Sequence, residues 1–403
     1  MHNNKKAFSS RLKTPHQLFA ASALAMALVA SVQAAEPVKV GVLLPFTGTF
    51  AALGEATTNG MKLAIEQQGG QLGGRAVEYV VVDSEANPGK AVQNMQKLVS
   101  GAKVDVVVGP VHSGVGMAAV KVARETGVPL IIPNAGFNAA TGQLCAANIF
   151  RTSFTSWQTA YPMGKVAADK GYKNIVTVAW RYGFGTESVD GFKEGFQQAG
   201  GKITKEIYIP FPEVEFQSQL TEIAALKPDA VFVFFAGGGA AKFVQDYAAA
   251  GLKDKIPLLG SGFLTEGTLA AQGAAAEGLL TTLHYADSLQ TARNEQFRND
   301  YRQQFGKEAD IYAVQGYDTG LLLAQSLEAV AGNTKDRAAW IKAMENARID
   351  SPRGEWTFSA AHNPVQDIYL REVRNGNNVV VDVASARLSD PAPGCKLPQV
   401  AKR

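Results

Sequence analysis

A hydroxyl side chain and the start of a predicted helix meet in the stretch GPVHSGVGMAAV, residues 109–120. The stretch follows the apolar run VDVVV and opens a helical pattern, which indicates a strand, a loop and a helix in succession. Because the first N–H groups of a helix have no intrahelical partner, such a junction favours an anion. From Gly114 the residues also match the G-x-G-x-x-A pattern of dinucleotide-binding loops. The sequence thus predicts an anion site at Ser113, for a nucleotide phosphate or for another anion.

Three observations disfavour an enzyme. A dinucleotide-binding loop should be followed about 20 residues later by an acidic residue, but that place is Asn134, with no Asp or Glu nearby. Ser113 is the direct neighbour of His112 and lacks the G-x-S-x-G surroundings of a nucleophile. The histidines of the mature chain, His112, His284 and His362, show no metal-ligand spacing. We therefore expect neither catalysis nor a cofactor nor a metal.

Further candidate binding residues lie in loops that directly follow predicted strands. Parallel strands present their carboxyl ends at one edge of a sheet, which is where ligands bind. The loops in question are 113–114, 134–136, 182–185, 235–238 and 260–263. They offer backbone N–H groups, one hydroxyl, one amide and several aromatic faces. This inventory fits the binding of a small carboxylate with an apolar body.

Apolar strand-like runs alternate with helical windows from residue 38 onward. Continuous β-branched runs between helices indicate parallel strands covered on both faces. Two successive series of this kind predict an α/β fold with two doubly wound, Rossmann-like lobes. Among the helices, one is expected at 187–199 and another at 240–250. The pattern becomes helical from Thr291 and ends in two alternating runs around Asn375-Gly376, a hairpin signal.

Residues 1–35 have the composition of a secretory signal peptide. Four basic residues precede an apolar stretch at 18–32, and small residues follow, with cleavage expected after Ala34 or Ala35. A membrane anchor is the alternative, but the apolar run is too short to span a bilayer comfortably. No cysteine stands beside the cleavage site to accept a lipid. We therefore predict export to the periplasm.

The charge of the mature chain is close to neutral. Without the signal peptide, 35 of the 39 basic residues remain against 36 acidic residues. A chain of this charge gives no electrostatic reason to expect nucleic acid as a partner.

Two cysteines remain in the mature chain, Cys145 in a polar loop and Cys395 in a Pro-rich tail. In an oxidising compartment a disulfide is the favoured state of a well-placed pair. A tail without a core of its own also gains from the very long loop that such a bond closes. Two unpaired thiols are the alternative. We expect the bridge, which would hold the tail 391–403.

Several motifs, in order along the chain, resemble those of periplasmic branched-chain amino-acid-type binding proteins of ABC transporters. The opening VKVGVLLPFTGTFAALGEATTNGMKLAIEQQGG is the first of them, and the similarity extends over residues 38–385. Further motifs are VVVGPVHSGVGMAA, VPLIIPNAG, FRTSF, WRYGFG, YAAAGLKDKIPLLGSG and YAVQGYDTGLLLAQSLEA. No single motif is specific, but their number and order identify the chain as a member of this family.

The resemblance implies a type I periplasmic binding fold, in which two lobes joined by three crossovers close over a ligand. One lobe would combine 37–155 with 286–360, and the other 156–285 with 361–390. It also implies a solute-binding component that delivers its ligand to an inner-membrane permease, and we expect a monomer. The same fold also serves ligand-sensing receptors without a transporter, which is the alternative function.

The resemblance also implies which residues hold the ligand. Its carboxylate would bind the Ser113 hydroxyl and the backbone of residues 134–136, and Tyr182 would close on it from the second lobe. The full set of implied ligand-binding residues is Ser113, Asn134, Ala135, Gly136, Tyr182, Phe235, Ala236, Gly262 and Phe263.

One position departs from the family pattern. Amino-acid binders of this family carry an acidic residue in the loop after the PLLG strand, which takes the ligand ammonium, whereas this chain has Gly262 there. Leaving an ammonium buried without a counter-charge would cost several kcal/mol. The ligand is therefore either an aromatic or other apolar carboxylate without an ammonium, or a branched-chain amino acid served by Glu266 or by a water molecule. The sequence leaves both open.

Overall fold

Two β-sheets with helices packed against them form the fold, as expected for an α/β chain. This computed structural model describes residues 1–3, 5, 7 and 35–398. The apolar stretch of the predicted signal peptide and the last five residues of the chain lie outside the described residues. All contacts considered below lie within the unit that begins at Pro37.

The first sheet has six strands in the order β2-β3-β1-β4-β5-β6. All neighbours are parallel except the short β2, which pairs antiparallel with β3. The central strands are continuous apolar runs that are buried on both faces, since helices cover both sides. The elements are β1 (Val38–Leu44), α1 (Ala51–Gln67), β2 (Gln71–Leu72), β3 (Arg75–Asp83), α2 (Pro88–Gln96), β4 (Val106–Val108), α3 (Ser113–Thr126), β5 (Leu130–Ile132) and β6 (Ile149–Arg151).

The second sheet has the order β12-β13-β11-β10-β9-β7-β8, with β14 paired to β13. Its parallel core consists of β7 to β11, and β12 to β14 add an antiparallel edge. The elements are α4 (Ser156–Asp169), β7 (Asn174–Arg181), α5 (Gly183–Gln198), β8 (Lys202–Pro210), α6 (Gln217–Leu226), β9 (Ala230–Phe234), α7 (Gly237–Ala249), β10 (Leu258–Ser261), α8 (Leu269–Gln272), β11 (Leu280–Leu283), β12 (Thr357–Phe358), β13 (Pro364–Arg374) and β14 (Asn377–Leu388).

Three helices between the end of the parallel core and the hairpin return to the first sheet. They are α9 (Ala292–Phe305), α10 (Ile311–Ala329) and α11 (Arg337–Glu345). α10 packs along α1, and the two backbones approach so closely that a Cβ atom on Gly316 would lie 1.9 Å from the carbonyl oxygen of Thr57. The chain therefore passes between the two sheets three times, after β6, after β11 and before β12. The residue ranges of the two lobes stay a prediction.

Two helices begin earlier than the sequence suggests. α5 begins at Gly183 and α7 at Gly237, so the expected starts at 187 and 240 are wrong by four and three residues. Glycine has poor helix propensity, and glycine-rich stretches are typical of loops. Packing decides here, because a Cβ atom on Gly239 would lie 2.2 Å from the ring of Trp180. Small residues let these helix starts lie directly on the sheet.

The hairpin signal and the disulfide are both confirmed. β13 and β14 are joined at Asn375 and Gly376, whose φ angles of 51° and 71° suit the turn. Cys145, in the loop between β5 and β6, is bonded to Cys395, beyond β14. Asp390 also accepts a hydrogen bond from the hydroxyl of Thr155. The tail thus runs from the second sheet back to a loop of the first.

Among the helices in the described part of the chain, none combines the length and the apolar character that crossing a membrane would require.

Replacing both cysteines by serine is expected to lower the free energy of unfolding by about 2–4 kcal/mol, because the bond closes a long loop that the unfolded chain must otherwise leave open. Chemical denaturation of the wild type and of the double variant Cys145→Ser/Cys395→Ser measures the difference. A thiol reductant should lower the free energy of unfolding of the wild type by a similar amount and leave that of the double variant unchanged. Equal stability of all four samples would show that the disulfide does not stabilise the fold.

Candidate functional site

The carboxyl ends of the parallel strands of the two sheets face each other. β4 and β5 of the first sheet lead into Ser113 and Asn134, and β7 of the second sheet leads into Tyr182. The rings of His112 and Tyr182 stack with their centroids 4.7 Å apart. A Cβ atom added to Gly183 would lie 3.3 Å from the Cβ of Ser113. Two of the predicted binding loops, 113–114 and 182–185, therefore meet across the two sheets.

Ser113 is the first residue of α3, and its hydroxyl is buried. The Oγ atom has no hydrogen-bond partner within residues 35–398. The preceding His112 caps the helix, since its Nδ1 accepts the N–H of Gly114 at 3.0 Å. Burial lowers the pKa of His112 to about 4, so the ring is neutral near pH 7 and Nδ1 is free to accept. Ser113 thus offers an unused hydroxyl at a helix start with a neutral cap.

Two helices of the second sheet begin with glycine at the same edge. α5 begins at Gly183 and α7 at Gly237, and neither preceding residue, Tyr182 or Ala236, caps its helix with a side chain. The first N–H groups of each helix carry the positive end of the helix dipole. Because Gly183 approaches Ser113, the starts of α3 and α5 face each other. An anion between them would be stabilised from both sides.

The loop after β5 is held from behind by Arg151, a fully buried side chain at the end of β6. Its guanidinium donates to the carbonyl oxygens of Ala135 and of Phe137, the latter at 2.8 Å. Ala135 donates its own N–H to Pro110, so both backbone groups of Ala135 are engaged. In a trans peptide the N–H points away from the C=O, which directs the N–H of Gly136 away from Arg151. Burial lowers the pKa of Arg151 to about 10, and the side chain stays charged at neutral pH.

Five aromatic rings form a continuous apolar surface beside the start of α5, and we call it the aromatic wall. Its members are Phe154, Tyr182, Phe184, Phe234 and Phe263. The centroid of Phe184 lies 4.2 Å from that of Phe234 and 5.4 Å from that of Phe263. Phe154 lies 4.8 Å from Phe263, and Tyr182 lies 6.1 Å from Phe234. The wall gives an apolar body a place to pack next to the helix starts.

Phe235 does not belong to the aromatic wall. Its ring packs against Phe216 at 5.0 Å and against Phe243 of α7 at 4.7 Å, in the core of the second sheet. Because strand side chains alternate between the two faces of a sheet, Phe234 points to the opposite face from Phe235 and belongs to the wall. The alternation in VFVFF is the signal that could have identified it. The residues near the site that sequence reasoning missed are Phe154, Phe184, Phe234, His284, Tyr312 and Gln315.

Gln315 of α10 connects Asn134 to His284 in one buried polar chain. Asn134 donates from Nδ2 to Oε1 of Gln315 at 2.8 Å. Nε2 of Gln315 lies 3.5 Å from Nε2 of His284. Gln315 lies 181 residues beyond Asn134, so no local pattern could have predicted this contact. The amide of Asn134 is therefore oriented by a helix that the chain adds much later.

Glu266 is fully engaged by other groups of the protein. Its Oε1 forms a buried ion pair with Arg371 and accepts from Asn378 at 3.3 Å, while its Oε2 accepts the N–H of Ile311 at 3.2 Å. Arg371 also donates to the carbonyl of Gly262 at 3.0 Å. A Cβ atom on Gly262 would lie 2.5 Å from Nη2 of Arg371. Gly262 therefore backs onto the guanidinium, and an acidic side chain would not fit there without displacing it.

No group of three or more His, Cys, Asp or Glu residues that could hold a metal ion occurs in the stretches that the structure describes.

Known proteins resemble this chain over most of its length. The sequence model of a family described as periplasmic binding protein matches residues 37–378. The Leu/Ile/Val-binding protein homolog 6 of Brucella abortus is 33% identical over 369 residues, which are 89% of this chain and 93% of that protein.

Two similar solved structures come from Rhodopseudomonas palustris. One is an ABC-transporter solute-binding protein in complex with benzoate, 49% identical, with a TM-score of 0.88, covering 90% of this chain and 100% of the other. The second, from strain BisB5, is in complex with 3,4-dihydroxybenzoic acid. It is 32% identical, has a TM-score of 0.83, and covers 88% of this chain and 99% of the other.

The buried ion pair can be tested by stability. Glu266→Gln is expected to lower the free energy of unfolding by about 3 kcal/mol, because it leaves the Arg371 guanidinium buried without its counter-charge. Glu308→Gln, which removes the exposed partner of Arg302, is the matched control and should cost less than about 1 kcal/mol. Urea denaturation measures both. An equal loss of stability in the two variants would show that Glu266 does not form a stabilising ion pair with Arg371 and can bind a ligand.

Proposed function

The chain belongs to the periplasmic binding protein family, and we propose that its ligand is a small aromatic carboxylate of the benzoate type. It is the solute-binding component of an ABC importer and not an enzyme, as its family and its solved relatives are solute-binding proteins. The observation that carries the aromatic acid is the engagement of Glu266 by Arg371. A ligand ammonium would find no carboxylate to pair with at that place.

Three other buried acids already have partners in the protein. Glu187 accepts the N–H of Asn138 at 2.8 Å, and burial raises its pKa to about 7. Asp310 caps α10 by accepting the N–H of Ala313 at 2.9 Å. Asp318 lies 2.9 Å from Nε of Arg353 in a second buried ion pair. An ammonium buried beside these paired acids would lack a free counter-charge, at a cost of several kcal/mol.

The carboxylate of the ligand is placed at the facing starts of α3 and α5 in this proposal. There it would accept from the Ser113 hydroxyl and from the N–H of Gly136, with the charge of Arg151 behind the loop. Ala135, whose backbone is engaged, lines the ligand without bonding to it. The positions of Asn134 and Tyr182 support contacts to the same end of the ligand.

The ring of the ligand would pack on the aromatic wall. Phe263 and Tyr182 belong to that wall, Ala236 lies at the start of α7, and Gly262 contributes only space. Phe235 supports this surface from the core of the second sheet. The relatives that bind benzoate and 3,4-dihydroxybenzoic acid are among the similar solved structures, which supports this class of ligand.

Family membership also supports a proposal for export, partner and domain division. We propose that residues 1–35 direct the chain to the periplasm, the location that the family implies, and that a monomer delivers the ligand to a permease of the inner membrane. The two lobes, 37–155 with 286–360 and 156–285 with 361–390, would open and close about the three crossovers. Permease and ATPase genes beside this one would favour transport over a ligand-sensing receptor.

Calorimetric titration of the refolded, ligand-free protein tests the ligand class. Benzoate and 4-hydroxybenzoate are expected to bind in the micromolar range or tighter, and leucine is expected to bind at least about 100-fold more weakly, since several kcal/mol of desolvation oppose its ammonium. Cyclohexane carboxylate, which has the carboxylate but no aromatic ring, shows whether binding requires the aromatic ring. Tight leucine binding would contradict the proposal.

A further inference from the structure

Three buried polar atoms on β10, α10 and the segment after β11 have no hydrogen-bond partner in the described chain from 35 to 398. They are the Oγ of Ser261, the Nδ1 of His284 and the hydroxyl of Tyr312. Each of these residues is at most 1% exposed. Leaving a buried donor or acceptor unpaired costs about 1–3 kcal/mol. A polar group of the ligand that bonded to these atoms would remove that cost.

Two of these residues, His284 and Tyr312, lie beside rings of the aromatic wall. His284 stacks on Phe154 with the centroids 5.3 Å apart, and Tyr312 lies 6.1 Å from Phe263. Ser261 ends β10 and is in register with Thr282 of the neighbouring β11, which leads into His284. His284 and Tyr312 therefore lie beside two rings of the aromatic wall and Ser261 ends the neighbouring strand, while Ser113 lies next to Gly183.

The polar chain through Gln315 assigns the proton on His284. Oε1 of Gln315 accepts from Asn134, so its Nε2 is the atom that faces Nε2 of His284. An amide nitrogen donates, which makes the imidazole Nε2 the acceptor. Burial, helped by the charges of Arg353 and Arg371, lowers the pKa of His284 well below its usual value and keeps the ring neutral. The single ring proton is then on Nδ1, which is a buried donor without an acceptor.

Tyr312 lies on the same face of α10 as Gln315, since the two are three residues apart in the helix. Burial is the main reason that the pKa of Tyr312 is raised, and the charges of Asp310 and Glu266 raise it further. Its hydroxyl can both donate and accept. Together with the donor on His284, it matches a phenolic hydroxyl, which also does both.

We propose that Ser261, His284 and Tyr312 form a specificity end of the site that binds a hydroxyl group on the aromatic ring of the ligand. Hydroxybenzoates are then preferred to benzoate, which leaves all three groups unpaired. This inference rests on the proposed function, because it requires the carboxylate at Ser113 and the ring on the aromatic wall. The relatives do not decide the point, since one is in complex with benzoate and another with a dihydroxybenzoic acid.

Titration of the wild type with benzoate, 3-hydroxybenzoate and 4-hydroxybenzoate tests the inference. We expect at least one hydroxybenzoate to bind about tenfold more tightly than benzoate, as one satisfied buried hydrogen bond would give. Tyr312→Phe removes only the hydroxyl and should reduce this ratio to near one. His284→Phe, which keeps the stacking on Phe154, is the second variant and should reduce the ratio as well.

Two controls separate specificity from structure. Tyr247→Phe removes a buried hydroxyl that donates to the carbonyl of Ile256, away from the site, and should leave the ratio unchanged. Ser113→Ala should weaken benzoate and hydroxybenzoates by the same factor. Equal affinity of the wild type for all three acids, or a ratio that survives both Tyr312→Phe and His284→Phe, overturns the inference while leaving the aromatic carboxylate in place. Binding of leucine and of none of the acids would instead overturn the proposed function.

Discussion

The guanidinium of Arg371 binds the carboxylate of Glu266, the carbonyls of Gly262 and Tyr285, and the hydroxyl of Thr281. From β13, it connects the antiparallel edge of the second sheet to the ends of β10 and β11. A fully buried cation of this kind must have its charge and its donors satisfied. The loop after β10 therefore directs the carbonyl of Gly262 toward Arg371. The single acidic residue of this loop, Glu266, binds the same guanidinium. What the site can hold follows from this arrangement.

Arg151 has a corresponding place in the first sheet. It too is fully buried, and it donates to Ala135, Phe137 and Asn363. The two arginines differ in one respect that matters for the ligand. Arg371 has a carboxylate partner, whereas the groups that Arg151 contacts directly are neutral carbonyl, amide and hydroxyl oxygens. The carboxylates of Asp390 and Glu187 also act electrostatically on Arg151, whereas Arg371 is paired directly with Glu266, at the place where a ligand ammonium would have needed an acid.

The sequence was sufficient for the elements that depend on local pattern. Continuous apolar runs predicted the parallel strands, Asn375-Gly376 predicted the hairpin, and the export signal with two cysteines predicted the disulfide. It was not sufficient where packing across the chain decides. The glycines at 183 and 237 were expected to lie in loops, yet contacts with the sheet below and with Ser113 opposite make them helix starts. Predicting which face of the sheet Phe235 occupies would have required the end of β9 to be known to within one residue.

The residues of the candidate site divide in the same way, into those with a local sequence signal and those placed by contacts between distant parts of the chain. Ser113 could be proposed from the sequence because a hydroxyl at a helix start is a local pattern, and Gly262 could be proposed because its loop departs from the family pattern. His284, Gln315 and Tyr312 had no such signal, because they reach the site from β11 and α10 through contacts between distant parts of the chain. The choice between Glu266 as ligand partner and as structural partner likewise required Arg371, which lies 105 residues further on.

The most direct measurement is the identity of the molecule that the protein retains from a mixed medium. Cells that export the protein are grown with equal amounts of benzoate, 4-hydroxybenzoate, leucine, isoleucine and valine, and the ligand released by denaturing the purified protein is identified by mass spectrometry. The engagement of Glu266 by Arg371 predicts that an aromatic acid is recovered at one molecule per chain. Recovery of a branched-chain amino acid at that ratio would contradict the account.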